Sequence, residues 1–115
     1  MGESGELLQG TLEMLVLKAL SLQPMHGWGI GHRIEQMARG AFVVPQGSLY
    51  PALQRMVNKG WIRSEWRTSE NNRRARYYLL TRTGAKQLRA ETEDWERTAG
   101  AIRAILRVAS AEGLS

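Results

Sequence analysis

Residues 45–62, PQGSLYPALQRMVNKGWI, constrain the fold more than any other stretch of this chain. Leu49, Leu53, Met56 and Val57 recur at i, i+4, i+7 and i+8, the spacing of one buried helical stripe. Taking Ser48 as the N-cap puts Pro51 at the third helical position, where a backbone N–H would be free in any case. Gly60 then ends the helix. The front of this helix carries Gln46, Ser48 and Tyr50, polar or amphipathic groups beside unsatisfied amides. Its back is suited to a core and its front to a partner.

The flanking segments supply that core. Leu8, Leu12, Leu15, Val16, Ala19 and Leu20 predict a first helix over Leu8–Leu22, stopped by Pro24 and Gly27. Ile30, Ile34, Met37 and Ala38 predict a short second helix before Gly40, with a brief extended piece at Phe42–Val44. WIRSEWRT and ARYYLL are β-rich runs on either side of the polar tip SENNRR and read as a hairpin. Thr81 or Thr83 caps a last helix reaching about Ala109. The expected fold is mainly α with a small β-hairpin: a winged helix-turn-helix over residues 1–82 and a long C-terminal dimerisation helix over residues 83–115.

Charge singles out the middle of the chain. The 115 residues carry a net charge of +5, yet residues 33–89 alone hold twelve basic and three acidic side chains. Each flank is slightly acidic, so polyanion binding is expected at the third helix and hairpin. The absence of cysteine excludes disulfides and thiolate chemistry. His26 and His32 are the only histidines, and they stand in no recognisable acid, base and nucleophile arrangement. His26, beside Gly27, reads as a turn or cap residue and His32 as a helix-surface one. Neither an enzyme nor a cofactor is expected. No apolar run suits a membrane span, and Glu3 and Glu6 stand where a secretory leader would be basic, so a cytoplasmic location is expected.

Two short helices, the second with a polar front, followed by a basic hairpin have the layout of a DNA reader whose recognition helix enters the major groove N-terminus first. Gln pairs with adenine edges, and Ser bonds to base edges or phosphate. Arginines in the wing suit phosphates or a minor groove. The candidate contacts to double-stranded DNA are Gln46, Ser48, Tyr50, Gln54, Arg55 and Lys59 on the helix, and Asn72, Arg73, Arg74 and Arg76 on the hairpin. Tyr50 has a competing placement, with its ring packed under the hairpin. A winged-helix module that binds protein instead of DNA is the alternative reading, although it does not need the central basic surplus.

The last helix has a seam. Ala85, Leu88, Thr92, Trp95, Ala99, Ile102, Leu106 and Ala109 alternate at three and four residues, the a/d pattern of paired helices. Part of the seam can fold back on the first helix, and the remainder predicts a homodimer. Leu88, Thr92, Trp95, Ala99, Ile102, Leu106 and Ala109 are its expected interface.

Together these segments resemble the PadR-like transcriptional regulators: GTLEMLVLKAL (10–20), HGWGI (26–30), GSLYPALQRMVNKGWI (47–62), RRARYYLLTRTG (73–84) and the tryptophan of DWE (94–96). The resemblance implies a dimeric winged-helix repressor acting on a palindromic operator, with DNA contacts at Ser48, Tyr50, Arg73 and Arg74. It also implies a response to phenolic or drug-like compounds, with Trp95 at a dimer interface that lines a ligand pore in some members. Trp28 stands where tyrosine is more usual, and the single helix after the wing is similar to the short-tailed subgroup. An aromatic effector is therefore expected at Trp95 and Ala99, where small neighbours leave room between two indoles. Glu91, Asp94 and Glu96 would favour a cationic one.

Overall fold

The computed structural model describes residues 10–68 and 70–114. Helices α1 (Thr11–Leu22), α2 (Gly27–Met37) and α3 (Gln46–Asn58) precede a hairpin of β2 (Ile62–Thr68) and β3 (Arg74–Leu80), and α4 (Arg82–Leu106) follows. A two-residue strand, β1 (Met25–His26), pairs antiparallel with β3 on the side opposite β2, giving the order β1-β3-β2. Two residues are too few to show a period of two in the sequence. Only their pairing with Tyr77 and Tyr78 defines them as a strand.

One core holds these elements. Val16 and Leu17 of α1, Ile30 of α2, Leu49, Leu53 and Met56 of α3 and Ile62 of β2 are fully buried, with Tyr78 of β3 at their edge. Each large apolar side chain removed from water contributes about 1.5–3 kcal/mol. The expected stripe of α3 is therefore its docking face. The first helix is described from Thr11 onward, and the portion expected from Leu8 lies outside the described residues.

Three local features differ from the sequence reading. The third helix begins at Gln46 with Pro45 as its N-cap, so Ser48 is its third residue and does not cap it. The Pro45 carbonyl accepts from the amides of both Ser48 and Leu49, at 3.0 Å each, and thereby starts the helix earlier. Pro51 consequently lies inside the helix and deprives the Gly47 carbonyl of its helical donor. Gly47 is exposed, so water can satisfy that carbonyl. At the other end of the chain, α4 stops at Leu106 and Ala109 lies beyond it, outside the helical seam. The helix has lost its packing partners by then: Leu106 is 78% exposed, and an unpacked helix end frays readily.

The junctions fix the angles between elements. The α3 C-terminus closes with Gly60 at φ 78°, while the amides of Gly60 and Trp61 donate to the carbonyls of Val57 and Met56. This is a Schellman turn, and its left-handed position favours glycine. Thr81, the N-cap of α4, accepts from Gly84 N–H at 3.0 Å. Its hydroxyl lies 2.6 Å from the Gly60 carbonyl and 2.9 Å from that of Trp61. The start of α4 is thus tied to the turn between recognition helix and wing.

Candidate nucleic-acid interface

The exposed side of α3 divides into three rows. At about 100° per residue, Gly47, Pro51, Gln54 and Asn58 point furthest from the buried stripe, with Gln46 and Tyr50 on one flank and Ser48, Arg55 and Lys59 on the other. Gln46, Ser48, Tyr50 and Gln54 are all exposed. Gln54 Nε2 donates to Asn58 Oδ1 at 3.2 Å, so Asn58 joins the surface although sequence reasoning passed over it. Its i+4 spacing from Gln54 was the available signal.

Arg55 and Lys59 turn toward α1. Arg55 Nε lies 2.9 Å and Lys59 Nζ 3.5 Å from the carboxylate of Glu13, and the Lys59 ammonium also sits 4.5 Å from the ring centre of Trp61. These two cations are engaged in seating α3 on α1. A charge pattern along one helix could not reveal that α1 brings a carboxylate to meet them.

Tyr50 is 46% exposed, with its ring against Gly27 at the start of α2. It borders a cleft of about 440 Å³ whose walls include Trp28, Asn71, Arg73, Arg74 and Arg76. The cleft brings the flank of α3 and the basic edge of the hairpin together on one side of the protein. His26 builds its rear wall: Nδ1 accepts from Gly29 N–H at 3.1 Å and caps α2, as its position beside Gly27 suggested. The imidazole of His32 stacks on the exposed indole of Trp28 at 5.3 Å between ring centres.

Strand alternation sorts the wing. Ile62, Ser64, Trp66 and Thr68 share a face with their partners Leu80, Tyr78, Arg76 and Arg74. Because Ile62 and Tyr78 are buried, this face continues the core side outward to Trp66, Arg74 and Arg76. The opposite face carries Arg63, Glu65 and Arg67. Glu65 accepts from Arg67 Nε at 2.6 Å and from Arg63 Nη1 at 2.9 Å, and these bonds, Arg67's the larger effect, hold its carboxyl below the usual range. Asn72 occupies the tip at φ 60°, a left-handed conformation that asparagine tolerates better than most residues.

Along α4, the expected seam residues stand in two settings. Leu88 packs partly against the core, whereas Trp95, Ile102 and Leu106 are 42%, 51% and 78% exposed. Leu88, Thr92 and Trp95 line one wall of a largely apolar groove of about 550 Å³ opposite Met14, Leu15 and Lys18 of α1. Ala99 lies farther along the helix and is not among its lining residues.

Residues 16–90 match the model of the Transcriptional regulator PadR-like family. The chain belongs to that family. Its fold is also that of solved PadR-like proteins. A PadR-like transcriptional regulator of Bacillus cereus is 25% identical with a TM-score of 0.78, covering 88% of this chain and 96% of that one. A PadR family transcription regulator of Clostridium difficile is 26% identical with a TM-score of 0.74, over 84% and 99% of the two chains. An uncharacterised 37.1 kDa protein of a Streptomyces fradiae transposon is 38% identical over 90 residues, which are 78% of this chain but 24% of that protein. This PadR-like chain is accordingly a DNA-binding transcription regulator with a winged helix. Among its described residues no helix is long and apolar enough to cross a membrane.

Proposed function

We propose that this PadR-like regulator is a homodimeric repressor that reads a palindromic operator. The observation carrying this reading is the cleft where Tyr50 of α3 meets Arg73, Arg74 and Arg76 of the wing. Gln46, Ser48, Tyr50 and Gln54 would meet base edges and the nearest phosphates, while Asn72 and the three wing arginines would meet the adjacent backbone. Arg55 and Lys59 are assigned to seating α3, since Glu13 engages both. Residues 83–115 would serve dimerisation, supported by the exposed apolar side chains of α4.

Selection of bound sequences from a random DNA pool tests this reading, with an inverted repeat as the expected product. Enrichment of a single asymmetric half-site would remove the palindrome. Absence of any salt-sensitive DNA shift would favour the protein-binding module. An aromatic effector that releases DNA is the further part of the proposal, supported by Trp95 in the α1–α4 groove. Titration with planar cationic dyes should give saturable quenching in the parent that is lost in a dimeric Trp95→Ala protein. Equal affinity in both would remove the effector site.

A further inference from the structure

Trp66 is 56% exposed, although the core side of its own sheet begins only two registers away. Its surroundings explain what holds it. The guanidinium carbons of Arg74 and Arg76 lie 5.4 Å and 5.3 Å from the ring centre, and Arg76 is its direct cross-strand partner. Two cations gathered on one indole repel each other, and the negative face of the ring offsets part of that repulsion. On the other face of the wing, Arg63 and Arg67 share the single carboxylate of Glu65, which offsets one of their two charges. The larger positive charge of the two faces, that of Arg74 and Arg76 on Trp66, lies on the side bordering the cleft with Tyr50.

We propose that Trp66 is a positioning residue for DNA binding, holding Arg74 and Arg76 as an ordered pair for neighbouring phosphates of one strand. This rests on the DNA-binding reading given above. Long side chains that must be ordered on association weaken binding, and an indole that orders two of them beforehand reduces that loss. The indole contributes no charge. Its removal should weaken binding without changing how many counterions are released.

The test uses the full chain and a mixed-sequence DNA duplex. Trp66→Ala should weaken binding roughly three- to tenfold with an unchanged salt slope, and Trp66→Phe should restore most of the loss because it retains an aromatic face. In an Arg74→Ala/Arg76→Ala background, Trp66→Ala should add nothing. In the DNA-free parent, ring-current shifts of the Arg74 and Arg76 Nε–H resonances should be present and should vanish in Trp66→Ala. An equal loss from Trp66→Ala with and without the two arginines would overturn the proposal in favour of direct indole contact. Undisplaced arginine resonances in the parent would overturn it as well. If Trp66→Ala binds like the parent while Arg74→Ala still lowers the salt slope, the positioning role fails and DNA binding stands. If the parent shows no salt-sensitive binding at all, both readings fall.

Discussion

Gly27 at the start of α2 lies flat against Tyr50 of α3: a β-carbon at Gly27 would come 2.7 Å from Tyr50 Cε1 and 2.8 Å from its hydroxyl. The bare backbone sets where the Tyr50 ring stands in the cleft. Because the ring is nearly half exposed, it can swing outward. Gly27→Ala is therefore expected to change the melting temperature little while weakening DNA binding as much as Tyr50→Ala does, with the double variant no weaker than either. Undiminished binding by Gly27→Ala in a gel-shift titration would show that the ring position is immaterial.

Gly84 gives the contrasting outcome. A β-carbon there would lie 2.0 Å from the Trp61 carbonyl oxygen, a backbone atom that has nowhere to rotate. Gly84→Ala should destabilise the fold by about 1–3 kcal/mol or more, the range of overpacked interiors, by separating α4 from the turn after α3. Thermal or urea unfolding checks this, and parent-like stability would contradict the packing described.

The arginines of α3 and of the wing should separate by salt dependence. Arg74→Ala is expected to lower the slope of log K against log salt by about 0.9, the value for one phosphate contact. Arg55→Ala should leave the slope nearly unchanged and cost at most about 1 kcal/mol of stability, as for other exposed ion pairs. Equal slope changes would return Arg55 to the DNA surface.

The exposed seam of α4 predicts self-association. Light scattering should give about twice the chain mass of 13.0 kDa, and Ile102→Asp should shift the population toward monomer by placing a charge at a half-exposed apolar position. A monomeric parent at micromolar concentration would remove the two-half-site arrangement.

Glu65 gives the wing a pH dependence. Its carboxyl is held below its ordinary range by Arg67 and then Arg63, so its folded value lies below its unfolded one. The stabilisation from pairing is complete above the ordinary carboxylate range and disappears as pH falls through the lowered folded value. The melting-temperature gap between the parent and Glu65→Gln should thus be present at neutral pH, close in acid, and narrow with added salt. A gap that persists in acid would mean that Glu65 acts through something other than its charge.

The sequence by itself determined the elements whose signals are local and repeated. Leu49, Leu53 and Met56 share a stripe because helical geometry places them there whatever they pack against, and the hairpin follows from β-rich runs around a polar tip. The cap at His26 was legible for the same reason, since a cap acts within one turn. Tertiary structure decided what depends on residues distant in the chain. β1 exists because β3 pairs with it, and the partner of Arg55 and Lys59 is Glu13, more than forty positions away. Pro51 entered the interior of α3 because Pro45 supplied an earlier start. The pairing of Trp66 with Arg74 and Arg76 also required the strand register, which the placement of Ile62 and Tyr78 in the core fixes. A one-residue slip would turn every side chain of the wing to its other face.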